Sequence, residues 1–406
     1  MTKRRDLLKG LITLPLIGGL SGPEAIAGTP IVIGAKDFER DYFKELGLRT
    51  FINAAGTYTM LTASLPHPEV VKAINYAALQ FVRLEDLQDK VGERIAELLK
   101  CEAAMVSAGA ASAITLGTAA VLTGGDPKKM QSIPTDMTGM KTEVIMQKSH
   151  RVGYAHAIQN CGVKIIEVET RKELEAAINE KTAMLWFLNT GNPLGKIKDE
   201  EFVAIGKKYN IPTFNDCAAD VPPVENLWKH TQMGFDLVCF SGGKGIRGPQ
   251  SAGLLLGKKD LIAAARKNAP PNGDTVGRGM KVNKEEILGM LVALEVYLAK
   301  DHQQEWAMWE KQVKLINETA SSIQGVKPEI HVPPVANHVP SIKIRWDNTK
   351  VKITPEAVRN ELRNGHPSIE TMGDDTSVDI TTWMMIPGEE RIVAKRLKDI
   401  LQSAAS

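Results

Sequence analysis

Lys244 lies in the stretch Phe-Ser-Gly-Gly-Lys-Gly-Ile-Arg-Gly-Pro-Gln-Ser-Ala-Gly, residues 240–253, where small residues leave a lysine amine open for chemistry. Two uses of that amine compete. Ser241 and Lys244 form an S-x-x-K, the spacing in which a lysine serves a serine nucleophile. That use needs a helix to bring both side chains onto one face, and Gly242, Gly243, Gly245, Gly248 and Pro249 each penalise one. No S-D-N-like or K-T-G partner segment follows. A phosphate-binding P-loop fails as well, because Gly245 and not Ser or Thr follows the lysine. The other use is as a Schiff-base lysine for pyridoxal 5'-phosphate, which needs a loop that lets backbone and amine approach a flat ring.

A pyridoxal phosphate site makes further demands. Its ring nitrogen wants a carboxylate at a strand end, and Asp216 closes the run Ile-Pro-Thr-Phe-Asn-Asp. Its phosphate wants a helix N-terminus with small residues and hydroxyls, and Ser107-Ala-Gly109-Ala110-Ala-Ser112 precedes an apolar helical run, which nominates Gly109, Ala110 and Ser112. The ring face wants a flat side chain after a strand, and His150 follows Thr-Glu-Val-Ile-Met-Gln-Lys-Ser. Ser241 completes the cofactor-binding set. Taken singly, each has a plainer explanation: close helix packing, a turn cap, a solvated loop histidine. Their conjunction with Lys244 carries the reading.

The elements that must hold these residues are legible from hydrophobic pattern. Short, continuous apolar runs near Val144, Ile165, Leu185, Phe214, Val238 and Leu255 alternate with helical patterns such as residues 171–180 and 199–210. That reads as an α/β protein, with a mostly parallel sheet covered by helices on both faces. From Asn283 to about Thr319 the pattern predicts one long linking helix. Beyond it, strands near Ile342 and Ile380, a helix opened by Thr354-Pro355 and a closing amphipathic helix predict a small α+β domain. The expected division is 1–27 signal peptide, 28–50 N-terminal segment, 51–290 cofactor-binding large domain, and 291–406 linking helix with the small domain.

Composition narrows the partners. Lys and Arg number 50 against 48 Asp and Glu, a net +2 with no block of like charge after the first ten residues, so electrostatics gives no support to nucleic-acid binding. A small molecule is the expected partner. The N-terminus has Arg4-Arg5, an apolar run from Leu11 to Leu20, and Ala25-Ile26-Ala27 before Gly28, the layout of a twin-arginine-type export signal with an A-x-A cleavage site. The run is about half of the ~20 residues that a membrane span needs, so no retained span is expected in the exported, periplasmic protein. Cys101, Cys161, Cys217 and Cys239 are far apart and give no metal-ligand spacing; free thiols are expected, as in a protein folded before export.

Ile-Asn-Ala-Ala-Gly-Thr-Tyr-Thr (52–59), Ser-Ala-Gly-Ala-Ala-Ser-Ala (107–113), Asn-Asp-Cys-Ala-Ala-Asp-Val-Pro-Pro (215–223), the Lys244 loop and residues 277–295 together resemble the fold-type I pyridoxal-phosphate enzymes, in the branch holding bacterial selenocysteine synthase and D-glucosaminate-6-phosphate ammonia lyase. The resemblance implies a seven-stranded-type large-domain sheet, Lys244 carrying the cofactor, Asp216 at its pyridine nitrogen, and Gly109, Ala110 and Ser112 at its phosphate. It also implies Arg278 facing the substrate and a homodimer or larger homo-oligomer with shared sites. The selenocysteine-synthase pattern has Asp where this chain has Gly243, and a second arginine where it has Lys281, leaving Arg278 and Lys281 as the cations for a substrate carboxylate or phosphate. With no tRNA-binding extension ahead of residue 52 and no basic surface, the expectation is the ammonia-lyase side: β-elimination from a small amino acid to give ammonia and a 2-oxo acid. A racemase or epimerase drawing on the same Cα chemistry, and a cofactor-binding protein without turnover, are the alternatives.

Overall fold

The computed structural model describes residues 40–405, so the leader expected over residues 1–27 lies outside the described residues. Among the described residues twelve strands form three sheets. In chain order they are β1 (Phe51–Asn53), β2 (Ala103–Ser107), β3 (Glu143–Gln147), β4 (Lys164–Val168), β5 (Thr182–Leu188), β6 (Thr213–Asp216), β7 (Leu237–Ser241), β8 (Gly253–Gly257), β9 (Val326–His331), β10 (Ser341–Trp346), β11 (Ser368–Glu370) and β12 (Val378–Thr381). The largest sheet has seven strands in the order β2-β8-β7-β6-β5-β3-β4. Strands β3 to β7 pair in parallel, while β8 runs antiparallel to both of its neighbours.

The unbroken apolar runs are explained by cores on both faces of this sheet. In β5 all seven residues are buried: Leu185 and Phe187 join one core, while Met184 and Trp186 join the other. The first core is closed by helices Leu84–Leu99, Asp199–Tyr209 and Lys284–Ala299, through Ile95, Phe202 and Met290. Helix Gly109–Thr123 closes the second through Ala113, Ile114 and Leu116. Its abundance of small residues follows from how closely it approaches the sheet: a Cβ on Gly117 would lie 2.7 Å from the Phe214 ring.

Two expectations need revision. The run from Asn283 to about Thr319 is two helices, Lys284–Ala299 and His302–Ser321. Lys300 turns extended, and the Asp301 carboxylate accepts from the Gln304 N–H at 2.9 Å, starting the second helix. An N-cap aspartate ends the run as firmly as a glycine or proline would, without their visibility in the pattern. The segment ahead of Gly109, absent from the apolar runs that predict strands, contains β2 at one edge of the sheet. Gln88 secures it, donating to Val106 O at 2.9 Å and accepting from Val106 N at 3.3 Å. Gln88 is thus buried, and the start of its helix is not wholly solvated.

The smaller C-terminal unit has its own core, built from Val313, Ile316, Ile342, Val358, Ile380 and Leu397. Antiparallel β9, β10 and β12 form its sheet, and Thr354 caps helix Pro355–Asn364 as expected, accepting from Ala357 N at 3.2 Å. A short parallel pair, β1 with β11, ties residues 51–53 to this unit. All four cysteines are free thiols. No helix among the described residues is long and apolar enough to cross a membrane.

Candidate active site

Lys244 follows β7 on a turn whose glycines are dictated by close packing. A Cβ on Gly243 would lie 2.5 Å from Gln250 Cα, and one on Gly245 would run into the Val221 carbonyl, so neither position has room for a side chain. The turn is stitched to the segment after β1. Ser64 Oγ donates to Gly243 O at 2.7 Å, Arg247 Nε to Leu65 O at 2.9 Å, and Gln250 Nε2 to Thr59 O at 3.2 Å. Its lysine is thereby presented to a cavity of about 370 Å³. Thr57, Tyr58, Tyr154, Asn337, Asp379 and Trp383 are among the other residues lining that cavity.

Strand register brings nominated residues to the same end of neighbouring strands. Ser107 is paired with Gly253, and Gly253 with Ser241, across β2, β8 and β7. On the far side of β7, Cys239 is level with Asp216 of β6. Gly253 approaches the start of helix Gly109–Thr123 so closely that a Cβ there would lie 2.6 Å from Gly109 C and 2.8 Å from Ala110 N. That helix opens at Gly109 itself, with φ +81°, and no side chain caps it. Its first N–H groups have no partner within the helix, and Gly109, Ala110 and Ser112 are only partly buried. Ser112 Oγ donates to Ala108 O at 2.7 Å, and Ser107 Oγ to Gly109 O at 2.9 Å.

Electrostatics couples the two central groups. Asp216 is 3% exposed, accepts from Ala218 N at 3.0 Å and takes a longer contact, 3.6 Å, from the Cys239 thiol. Burial raises its proton affinity above the ordinary carboxylate range, while the Ala218 N–H and Lys244 oppose this. Burial lowers that of Lys244, with Asp216 opposing. A lysine whose amine is neutral more readily is a better nucleophile, and a buried carboxyl is suited to a cation brought against it.

Of the nominated residues Lys244 alone lines the cavity; Asp216, Ser241, Gly109, Ala110 and Ser112 are outside the lining, as are His150, Arg278 and Lys281. His150 is fully buried, with Nδ1 accepting from Leu188 N at 3.2 Å and Nε2 at 3.2 Å from the Gln147 amide nitrogen. Its ring meets Phe187 edge-on, centroids 4.4 Å apart, and burial holds its pKa down at about 4. It is not among the residues lining the Lys244 cavity, whereas Tyr154, four positions on, is. Arg278 and Lys281 are exposed and also outside that lining. Three groups escaped the sequence reading: Ser64, which anchors the lysine turn; Asp379, which lines the cavity and pairs with Lys343 at 3.3 Å; and Asp220, buried four residues after Asp216. Of these only Asp220 carried a signal, as a second acid in Asp-Cys-Ala-Ala-Asp-Val-Pro-Pro.

An uncapped helix start, a buried carboxylate and a desolvated lysine at one end of the sheet are the donor set that pyridoxal phosphate requires, and the residues present fit it. Comparison with known proteins agrees. D-glucosaminate-6-phosphate ammonia lyase of Salmonella typhimurium is 31% identical over 379 residues, covering 89% of this chain and 98% of that protein. A solved structure of D-glucosaminate-6-phosphate ammonia lyase superposes with a TM-score of 0.78 at 29% identity, covering 91% of this chain and all of the other. The 5'-C-glycyluridine monooxygenase-decarboxylase of a Streptomyces species is 27% identical over 380 residues, 88% of this chain and 92% of its own. The architecture is the fold-type I pyridoxal-phosphate transferase fold, a seven-stranded mixed sheet with helices and a small C-terminal domain. Residues 51–331 match the SelA family, described as L-seryl-tRNA selenium transferase, and the chain belongs to that family.

Proposed function

We propose that the chain is a pyridoxal-phosphate-dependent lyase acting on a small, hydroxyl-bearing amino acid: the Cα proton and the β-hydroxyl leave as water, and hydrolysis of the enamine so formed gives ammonia and a 2-oxo acid. The observation that carries this is the convergence of Lys244, Asp216 and the Gly109 helix start at one end of the sheet, beside a cavity. Lys244 would hold the cofactor, with Asp216 as the carboxylate for its ring nitrogen, the helix start at Gly109, Ala110 and Ser112 as the phosphate end of the site, and Ser241 completing the binding set. When bound, the cofactor supplies an electron sink for a carbanion at Cα. The Lys244 amine would take the Cα proton of the substrate and later return one, a role favoured by its lowered proton affinity. The Asp216 carboxylate would favour a protonated, cationic partner against it. Thr57, Tyr58, Asn337 and Asp379 give the cavity wall hydroxyl, amide and carboxylate groups for substrate hydroxyls, and the relationship to an ammonia lyase supports elimination.

A panel of D- and L-amino acids and amino sugar acids, assayed for 2-oxo acid and ammonia in ²H₂O, tests the reading. Stoichiometric release of both is expected from at least one substrate. Deuterium entering Cα without release would replace the lyase by a racemase, and neither signal from any amine would leave a cofactor-binding protein without turnover.

The working form we propose is an exported homo-oligomer. Met60, Leu65, Tyr76, Leu79, Phe81 and Val82 all face outward within 23 residues of chain that begin beside the cavity-lining Tyr58 and Thr59. So many large apolar groups in one segment mark an association surface. Arg278 and Lys281, exposed in one copy, would face a substrate in the neighbour's cavity. The export reading rests on Arg4-Arg5 and the Ala25-Ile26-Ala27 site. One preparation tests both: the full chain expressed in a bacterial host should be recovered from the periplasm, starting near Gly28, with a light-scattering mass of at least two chains. Cytoplasmic protein with an intact leader contradicts export, and a monomer contradicts the shared site.

A further inference from the structure

Asp220 is a buried acid for which the proposed chemistry has no use. It lies on the turn between β6 and Val221-Pro222-Pro223, with its backbone held at both ends. Its N–H donates to Cys217 O at 3.1 Å, and its C=O accepts from Asn226 Nδ2 at 2.8 Å. The side chain is 1% exposed, and neither carboxylate oxygen has a partner in full hydrogen-bond geometry, although the Asn189 amide and the Ala336 N–H lie close enough to act on it. A buried carboxylate left this way is costly to ionise.

The cover over Asp220 is fastened. Ala336 and Asn337, both in left-handed backbone with φ of 53° and 45°, lie over the turn, and Asn337 N donates to Ala219 O at 2.7 Å. Two successive non-glycine residues in that region are strained and persist where surrounding contacts impose them. Both also line the Lys244 cavity, so the cover of Asp220 forms part of the site wall. The Lys244 turn packs directly on this one, a Cβ on Gly245 running into the carbonyl of Val221, next to Asp220; the charged and titratable groups around the carboxyl are Asp216, the Cys217 and Cys239 thiols and Lys244, with the Asn189 side chain and the Ala336 backbone beside them. Burial, above all, pushes Asp220 up to about 7, with Asp216 adding to it and Asn189 and Lys244 opposing.

We propose that Asp220 is a positioning residue for Lys244, its carboxylate holding the proton on the lysine amine and letting it go when Asp220 takes up a proton itself. One proton is shared between two groups in a closed pocket: Asp220 carboxylate with Lys244 ammonium exchanges with Asp220 carboxylic acid and Lys244 free amine. Only the second pair offers a nucleophile. This rests on reading Lys244 as the reactive amine, but it does not require any cofactor to be bound.

The test is trace acetylation of the cofactor-free protein with acetic anhydride across pH, reading Lys244 by peptide mass mapping against the exposed Lys395. Wild type and Asp220→Asn should coincide below about pH 6, where Asp220 is already neutral. Above about pH 7 the variant's Lys244 should acetylate roughly 5–10-fold faster, a shift approaching one pK unit. Superimposable profiles would overturn the proposal. Should Asp220→Asn fail to fold, the carboxylic-acid C=O stretch of Asp220 is followed by infrared titration instead. In wild type it should vanish through neutrality, and in Lys244→Ala it should persist to higher pH, because the opposing cation is gone. An unmoved band is the contrary result. Failure of the cofactor reading is seen separately, as absence of a borohydride-fixed adduct on Lys244.

Discussion

Lys244→Ala, mixed with pyridoxal phosphate and reduced with borohydride, should yield no cofactor-labelled peptide, where the wild type yields one spanning residue 244. Turnover on any substrate found for the wild type should fall by at least about 10³-fold, since one substitution removes both the attachment point and the proton carrier at Cα. The fold should survive. The turn is held by Ser64, Arg247 and Gln250 through backbone and side-chain bonds that leave the lysine out, and truncation removes a charge that burial disfavours. Added methylamine should restore a small fraction of the rate, because the cavity lined by Lys244 has room for the missing amine. A variant retaining more than about a tenth of wild-type turnover would refute the assignment.

Asp216→Asn should separate function from stability. Turnover should fall on the order of 10³-fold, the scale on which a single electrostatic partner of the reacting group is felt. The cofactor-free variant should nevertheless melt at a higher temperature than the cofactor-free wild type at alkaline pH. The sign follows from linkage. A carboxyl whose folded proton affinity is raised adds stability fully below its unfolded pKa of about 3.9, and that contribution is lost as pH rises through the folded value. Asparagine suffers no such loss, so the two melting curves should converge in acid and diverge in base. Cofactor should narrow the gap, because a cation against Asp216 favours its ionised form. Equal melting temperatures across pH would show that Asp216 is not strained by burial.

These residues differ in how far sequence could reveal them. Lys244, Asp216 and the Gly109 turn were legible because each lies at the end of an element whose pattern is strong, and because glycines mark where backbones touch: Gly243, Gly245 and Gly253 have no space for a side chain. Strand order was not legible. That β8 inserts antiparallel between β2 and β7, and so sets Ser107, Gly253 and Ser241 level, depends on pairings between residues far apart in the chain. His150 shows the limit of placement by chain position. It follows a strand as a ring-stacking residue should, and its ring is held by the Leu188 N–H and the Gln147 amide, contacts that chain position alone does not reveal. The break at Asp301 was hidden for another reason: an N-cap aspartate resembles any polar position of an amphipathic helix until its side chain is seen accepting from Gln304.

The Gln88 clamp on Val106 bears on how copies of this chain can meet. β2 is an outer strand of the seven-stranded sheet, and an outer strand normally offers its free N–H and C=O groups as a template for another chain. The Gln88 amide occupies both groups of Val106, imitating one residue of a neighbouring strand. Edge-to-edge growth into a continuous intermolecular sheet is therefore blocked at that point from the moment helix Leu84–Leu99 docks. The proposed assembly would then rest on side-chain surfaces such as residues 60–82, whose large apolar groups face outward.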